Sequence, residues 1–147
     1  MSAFKISPNN LKILCVDEAC MLKAYQDSGG IWSIGFGHTH GVKKGDTCTR
    51  EQAIFWLTQD MDNVENWLNN QKFNINQNQF DSLCDFTYNC GIGHFILWGL
   101  PVLIKKNPND PEIGIEIMKH NHDAHGTVQP GLTRRRQRNI NLYFKPV

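Results

Sequence analysis

The segment EACMLKAYQDSGGIWSIGFGHTH, residues 18–40, differs in character from the rest of the chain. Immediately before and within it, six positions spaced three and four residues apart share one face of a predicted helix: Leu11, Leu14, Cys15, Glu18, Ala19 and Leu22. Glu18 is the charged member of this apolar face. We expect partial burial to raise the pKa of Glu18, as suits a general acid near neutral pH. We expect no basic partner for it, since Lys23 lies off that face.

After Leu22 the pattern changes to that of extended chain. Ser28-Gly29-Gly30 supplies a turn, so Ala24–Asp27 and Ile31–Gly37 are predicted to form a β-hairpin. Helix and hairpin would then bring Glu18, Asp27 and Ser33 toward one place. A purely structural interpretation also stands, because aspartate is an ordinary turn residue before Ser-Gly-Gly and a glutamate at a helix end is usually solvated.

The chain resembles the phage-type lysozymes, the endolysin muramidases, in several ordered segments. They are Glu18, Leu22–Asp27, Trp32–Thr39, Gln79–Leu83 leading to Asn89-Cys90-Gly91, and Pro130–Arg136. The resemblance therefore spans nearly the whole chain. Three positions depart from the family pattern, which usually has threonine at Ser33, glycine at Ala19 and often an acidic residue at Asn139. None of these departures removes a reacting group.

The resemblance implies an α+β, mostly helical, two-lobed lysozyme-like fold. We expect a small β-hairpin lobe with a linking helix over about residues 18–70. A helical C-terminal lobe would take about residues 1–17 and 71–147.

The activity implied is hydrolysis of the β-1,4 bond between N-acetylmuramic acid and N-acetylglucosamine in peptidoglycan. Glu18 would be the general acid, Asp27 and Ser33 would position the attacking water, and Thr39 would contact substrate. Inversion is expected, although the distance between the two carboxyl groups decides between inversion and retention. No cofactor or metal is implied.

Two other functions fit parts of this pattern. A lytic transglycosylase keeps a single catalytic acid and forms an anhydro product, but here both Asp27 and a hydroxyl at Ser33 are retained. A catalytically silent glycan-binding module would bind the wall without releasing reducing ends.

Length, charge and cysteine content indicate the class of protein and where it is made. A length of 147 residues suits one domain, and a net charge of +1 argues against a nucleic-acid binder. The N-terminus does not resemble a signal peptide, and the apolar run Phe95–Ile104 is too short to span a bilayer. Five cysteines without a Cys-x-x-Cys pair indicate reduced thiols and a cytoplasmic origin. A monomer that reaches the wall through a holin or a secretion machine is expected.

Capping signals predict the helices. Ser7-Pro8 begins the helix of Glu18, and Thr49 to Gln52 fits a capping box that begins a long amphipathic helix. A third helix should end at Gly91. Pro101 and Pro111 should each begin a short helix, and Asp110 should cap the second. A loop over Gly126–Gly131 should then precede a final helix, Leu132–Tyr143.

Two polar clusters and one histidine remain. His120, His122 and His125 could ligate a metal, but their spacing matches no helix face, which favours a polar loop. One or two of the arginines Arg134, Arg135, Arg136 and Arg138 are expected to pair with acids in the helical lobe, although the run could instead bind the carboxylates of the glycan. His38 is interpreted as a structural hydrogen-bonding residue.

Overall fold

The computed structural model describes residues 2–147, which form seven helices and one two-stranded antiparallel sheet. In chain order the elements are α1 Pro8–Glu18, β1 Met21–Gln26, β2 Trp32–Gly35, α2 Arg50–Asn70, α3 Gln77–Cys90, α4 Ile92–Leu97, α5 Leu100–Lys106, α6 Pro111–Met118 and α7 Pro130–Tyr143. The predicted α+β, mostly helical fold class is confirmed. None of the helices within residues 2–147 is both long enough and apolar enough to cross a membrane.

Helix α1 begins at Pro8, as predicted, and ends at Glu18. The predicted apolar face is wrong beyond that point. Ala19 leaves the helix with a φ of 54°, and Leu22 lies on β1 with 48% of its surface exposed. The helical spacing of Leu22 therefore has no structural meaning, because the helix stops before reaching it. Glu18 is left at the junction between helix and hairpin.

The predicted hairpin is present, but its strand limits differ from the prediction. Strand β1 begins at Met21 rather than Ala24, because Met21 already pairs with Gly35. Strand β2 ends at Gly35 rather than Gly37, since Ile34 and His38 exchange two backbone hydrogen bonds of 2.9 Å in a tight turn. Tyr25 lies directly opposite Ser33 in the register.

Helix α2 links the hairpin to the rest of the chain. Thr49 accepts a hydrogen bond of 3.1 Å from the backbone N–H of Gln52, which is half of the predicted capping box. Trp56 is only partly buried and stacks on His38. The apolar face of α2 joins the core through Ala53, Leu57, Met61, Val64 and Leu68.

The helical remainder packs around α3. This helix ends at Gly91, as predicted, and a complete capping box of Asn76 and Gln79 begins it. Asp110 caps α6, as predicted, by accepting a 2.9 Å hydrogen bond from the Glu112 N–H. Helix α7 begins at Pro130 rather than Leu132, because proline occupies its first position. All five cysteines are free thiols.

Candidate active site

The side chain of Glu18 is enclosed at the end of α1, with only 14% of its surface exposed. One oxygen, Oε1, lies 2.8 Å from Arg135 Nη2. This contact is a close ion pair between the carboxyl group and the guanidinium. The expectation that Glu18 has no basic partner is therefore wrong. The partner was missed because it lies on the last helix of the chain.

The second oxygen of Glu18, Oε2, faces the backbone of Gly37. A β-carbon at position 37 would lie 2.9 Å from this oxygen, closer than real β-carbons approach other atoms. Gly37 also has a φ of 78°, in the left-handed region that favours glycine. Glycine at this position therefore allows the turn after β2 to approach the carboxyl group.

Arg135 divides its charge among three carboxylates, those of Asp85, Glu18 and, at 3.6 Å, Asp17. Its Nε and Nη2 donate to the two oxygens of Asp85 at 3.2 and 3.0 Å, while Nη2 also contacts Glu18. Asn139 donates a 2.6 Å hydrogen bond to the same Asp85 carboxylate. Asp85 is thus the better-bonded partner of the guanidinium, and Glu18 receives only part of its charge.

The pKa of Glu18 depends first on burial and then on its charged neighbours. Burial raises the pKa of Glu18 above its usual value, and the opposing effect of Arg135 is smaller. The charges of Asp85 and Asp17 also raise it. Burial alone would lower the pKa of Arg135, but Asp85 and Glu18 raise it overall. The site therefore combines a permanent cation with a carboxyl group that keeps its proton to higher pH than an exposed glutamate.

Asp27 lies at the exposed hairpin tip and has a clear structural task. Its Oδ1 accepts hydrogen bonds from the N–H groups of Gly29 and Ile31, at 2.9 and 2.8 Å. No hydrogen bond among residues 2–147 engages its other oxygen, Oδ2. The turn interpretation of Asp27 is therefore correct, and it leaves one oxygen available.

Tyr25 connects the predicted site residues. Burial raises the pKa of this phenol, the charges of Glu18 and Asp27 add to the effect, and the hydroxyl of Ser33 opposes it. Ser33 itself is buried on β2, directly opposite Tyr25. Tyr25, which the sequence did not single out, therefore lies opposite Ser33 and within electrostatic range of both Glu18 and Asp27. Thr39 is exposed in the turn after β2, and its contact with substrate stays a prediction.

The arginines of α7 take different roles. Arg135 pairs with core acids, as predicted, and Arg138 pairs with Asp17. Arg136 is buried but bonds to neutral groups, donating to the His120 carbonyl at 2.8 Å and to the Asn139 side-chain oxygen at 3.0 Å. Asn139 therefore links Arg136 to Asp85, accepting a hydrogen bond from the first and donating one to the second.

The histidines are held by local contacts. His38 Nδ1 lies 2.8 Å from Asp60 Oδ2, in agreement with a structural role. His120 stacks on Trp98 and its Nε2 is 3.1 Å from Glu116 Oε1. Within residues 2–147, no three His, Cys, Asp or Glu side chains come together as a metal site would require.

The hairpin tip also contacts the loop before α7. The backbone N–H of Ala124 donates to Ser28 Oγ at 3.4 Å, and Gly29 lies against the Ala124 side chain. The turn of Asp27 therefore lies beside the loop that precedes α7.

Replacing Glu18 with glutamine should stabilise the fold at neutral pH. The raised folded pKa means that folding favours the protonated form, so the cost of Glu18 is absent below its unfolded pKa. That cost grows as pH rises and is complete above the folded pKa. We expect a gain in unfolding free energy of about 1 kcal/mol at neutral pH, shrinking in acid. Urea unfolding at both pH values measures it.

The control is Glu65→Gln, because the Glu65 side chain is also enclosed, with 4% of its surface exposed, but accepts a 2.8 Å hydrogen bond from the Ile6 N–H and contacts Lys5. It should give no gain at neutral pH. A Glu18→Gln protein less stable than wild type at neutral pH would mean that Arg135 fully compensates the buried carboxylate.

Gly37→Ala should be more destabilising than Gly41→Ala. Both residues have positive φ, 78° and 70°, so both variants bear a backbone cost of about 1–2 kcal/mol. Only the new methyl at position 37 meets another group, since nothing lies within 4 Å at position 41. Thermal unfolding of the two variants measures the difference. Equal losses would show that the turn does not press on Glu18.

Comparison with known proteins agrees with this geometry. Residues 16–139 match the family Phage lysozyme. An endolysin of Acyrthosiphon pisum secondary endosymbiont phage 1 is 37% identical over 143 residues, covering 94% of this chain and 97% of that protein. The muramidase domain of SpmX from Asticaccaulis excentricus has a TM-score of 0.81 at 28% identity, covering 97% of this chain and 99% of that one. The endolysin from Escherichia coli O157:H7 phage FAHEc1 has a TM-score of 0.78 at 28% identity, covering 99% and 97%. The chain belongs to the phage lysozyme family.

Proposed function

We propose that the protein hydrolyses the β-1,4 bond between N-acetylmuramic acid and N-acetylglucosamine in peptidoglycan, with inversion at the anomeric carbon. Membership of the phage lysozyme family makes the chain a glycoside hydrolase. The observation that carries the proposed mechanism is the enclosed Glu18 carboxyl group, whose pKa is raised by burial. A carboxyl group that keeps its proton to higher pH than an exposed glutamate can donate that proton to the leaving glycosidic oxygen.

Asp27 and Ser33 are proposed to hold the attacking water. Asp27 uses Oδ1 to shape the turn, so Oδ2 is the oxygen that accepts a proton from water. Ser33 supplies a hydroxyl on the neighbouring strand. Inversion requires the water to attack from the face of the sugar opposite the acid, with room for it between the two carboxyl groups.

The substrate is proposed to lie between the hairpin with its linking helix, about residues 18–70, and the helical remainder, about residues 1–17 and 71–147. Thr39 would contact the glycan on the hairpin side. Beside Glu18, a groove lined by Asp17, Gln129, Arg134, Arg135 and Arg138 carries more positive than negative charge. Carboxylates of the wall polymer complement that charge.

The protein is proposed to act as a monomer on glycan strands of the cell wall. Five free thiols favour synthesis in a reducing cytoplasm. A holin or a secretion machine would then deliver the folded enzyme to the wall.

Glu18→Gln should abolish hydrolysis, because an amide cannot donate the required proton. The expected loss is at least about 100-fold in the rate of reducing-end release from purified peptidoglycan. Glu65→Gln, which leaves the site intact, is the control and should keep the wild-type rate. Near wild-type release by Glu18→Gln would exclude Glu18 as the acid.

Mass spectrometry of the wild-type products distinguishes the proposed hydrolase from the two alternatives. Hydrolysed ends are expected, whereas anhydro ends would identify a transglycosylase. Binding to the wall without any released product would identify a silent binding module.

Asp27→Asn should reduce turnover about 100-fold and Ser33→Ala about tenfold. Asparagine keeps an Oδ1 that accepts the turn hydrogen bonds. The loss of turnover in Asp27→Asn therefore reports on the negative charge that activates water. Ser33→Thr, with the residue usual in the family, should keep most of the activity. Turnover on one purified glycan ranks the three variants. A larger loss for Ser33→Ala than for Asp27→Asn would contradict this division of roles.

A further inference from the structure

A hydroxyl group on α3 holds the turn that faces Glu18. The phenol of Tyr88, in the last turn of α3, donates a 2.6 Å hydrogen bond to the backbone carbonyl of Phe36, 52 residues earlier in the chain. Phe36 directly precedes Gly37, whose backbone lies against Glu18 Oε2. One hydrogen bond therefore connects the helical part of the molecule to the segment that covers the carboxyl group.

We propose that Tyr88 is a positioning residue for Glu18, because its hydroxyl holds the Phe36–Gly37 backbone against the carboxyl group and fixes the direction in which the proton is donated. This inference rests on the proposed function of Glu18 as the general acid. Tyr88 acts through the backbone of Gly37.

Two features fit this role. Burial, with the charges of Asp60 and Glu18, raises the pKa of Tyr88, so the phenol stays a neutral donor at any pH at which the enzyme would work. The turn is also the kind of segment that needs such a bond. It has left-handed backbone at Gly35 and Gly37, with φ of 64° and 78°, and its ladder with β1 has already ended.

The substitution Tyr88→Phe removes none of the charged groups around Glu18. The ionisable neighbours of Glu18 come from four elements: Cys15 and Asp17 on α1, Tyr25 on β1, Asp85, Tyr88 and Cys90 on α3, and Arg135 and Arg136 on α7. Loss of the hydroxyl changes none of their charges. A shift in the titration of Glu18 would therefore come from movement of the Phe36–Gly37 turn and entry of water.

The test compares Tyr88→Phe with Tyr143→Phe. Tyr143 is a matched control, since its buried hydroxyl also donates to a backbone carbonyl, that of Pro108 at 2.8 Å, in a part of the fold that does not contact Glu18. Each variant loses one oxygen atom and one such hydrogen bond. Thermal melting shows how much of any effect is general loss of stability.

For Tyr88→Phe we expect kcat on a purified glycan to fall about tenfold with KM nearly unchanged, because a displaced acid costs rate rather than binding. The alkaline limb of its kcat profile should move to lower pH, since a better-hydrated Glu18 loses its proton more easily. Tyr143→Phe should keep the wild-type kcat and profile. A wild-type kcat and profile in Tyr88→Phe, or equal changes in both variants, would overturn the proposal.

An NMR measurement tests the contact without any activity. In wild type the Gly37 amide resonance should follow the titration of Glu18, and this response should vanish in Glu18→Gln. Tyr88→Phe should weaken it and Tyr143→Phe should keep it. An unchanged response in Tyr88→Phe would contradict the positioning role even if the wild-type protein hydrolyses peptidoglycan. If wild type were inactive, the proposed function would fail, and the resonance alone would decide whether Tyr88 holds the turn.

Discussion

The buried guanidinium of Arg135 is the constraint on which the site depends. A buried cation is tolerated only when it is paired and hydrogen-bonded. Asp85 on α3 satisfies most of this requirement by accepting hydrogen bonds from Nε and Nη2 of Arg135. Glu18 on α1 lies 2.8 Å from Nη2. Three helices from distant parts of the chain therefore meet at one charge. Because Asp85 takes the larger share of that charge, burial remains the dominant influence on Glu18, and its pKa is raised rather than lowered.

The carboxyl group is also limited by the backbone on its other side. Gly37 approaches Glu18 Oε2 so closely that a β-carbon would lie 2.9 Å from this oxygen and force the carboxyl group to shift. The hairpin thus has two roles, since it carries Asp27 and Ser33 and also closes the surroundings of Glu18. Asp27 uses one oxygen, Oδ1, to hold the turn, and no hydrogen bond among residues 2–147 engages the other. A structural and a catalytic interpretation of that residue are compatible.

Sequence patterns predicted the parts of this arrangement that depend on near neighbours. The start of α1 at Pro8 and the turn after Asp27 follow from spacing within about a dozen residues. Arg135 could not be matched to Glu18 in this way, because nothing local links the first helix to the last. The limits of β1 and β2 were missed for a related reason. They are set by the pairing of Met21 with Gly35 and by the tight turn from Ile34 to His38, not by hydrophobic alternation. The sequence did not single out Tyr25 and Tyr88 for the same reason, because their roles depend on residues that are near them only in the folded structure.

The central claim is that burial outweighs Arg135 and keeps Glu18 protonated above the usual range of a glutamate. Carbon-13 NMR of protein labelled at the glutamate side-chain carboxyl carbons tests it directly, with the Glu18 signal assigned by its absence from Glu18→Gln. The account predicts that this carboxyl titrates at higher pH than an exposed glutamate, whose pKa is about 4.3. A Glu18 signal that titrates at or below that value would show that the ion pair with Arg135 controls the carboxyl, and would contradict the account.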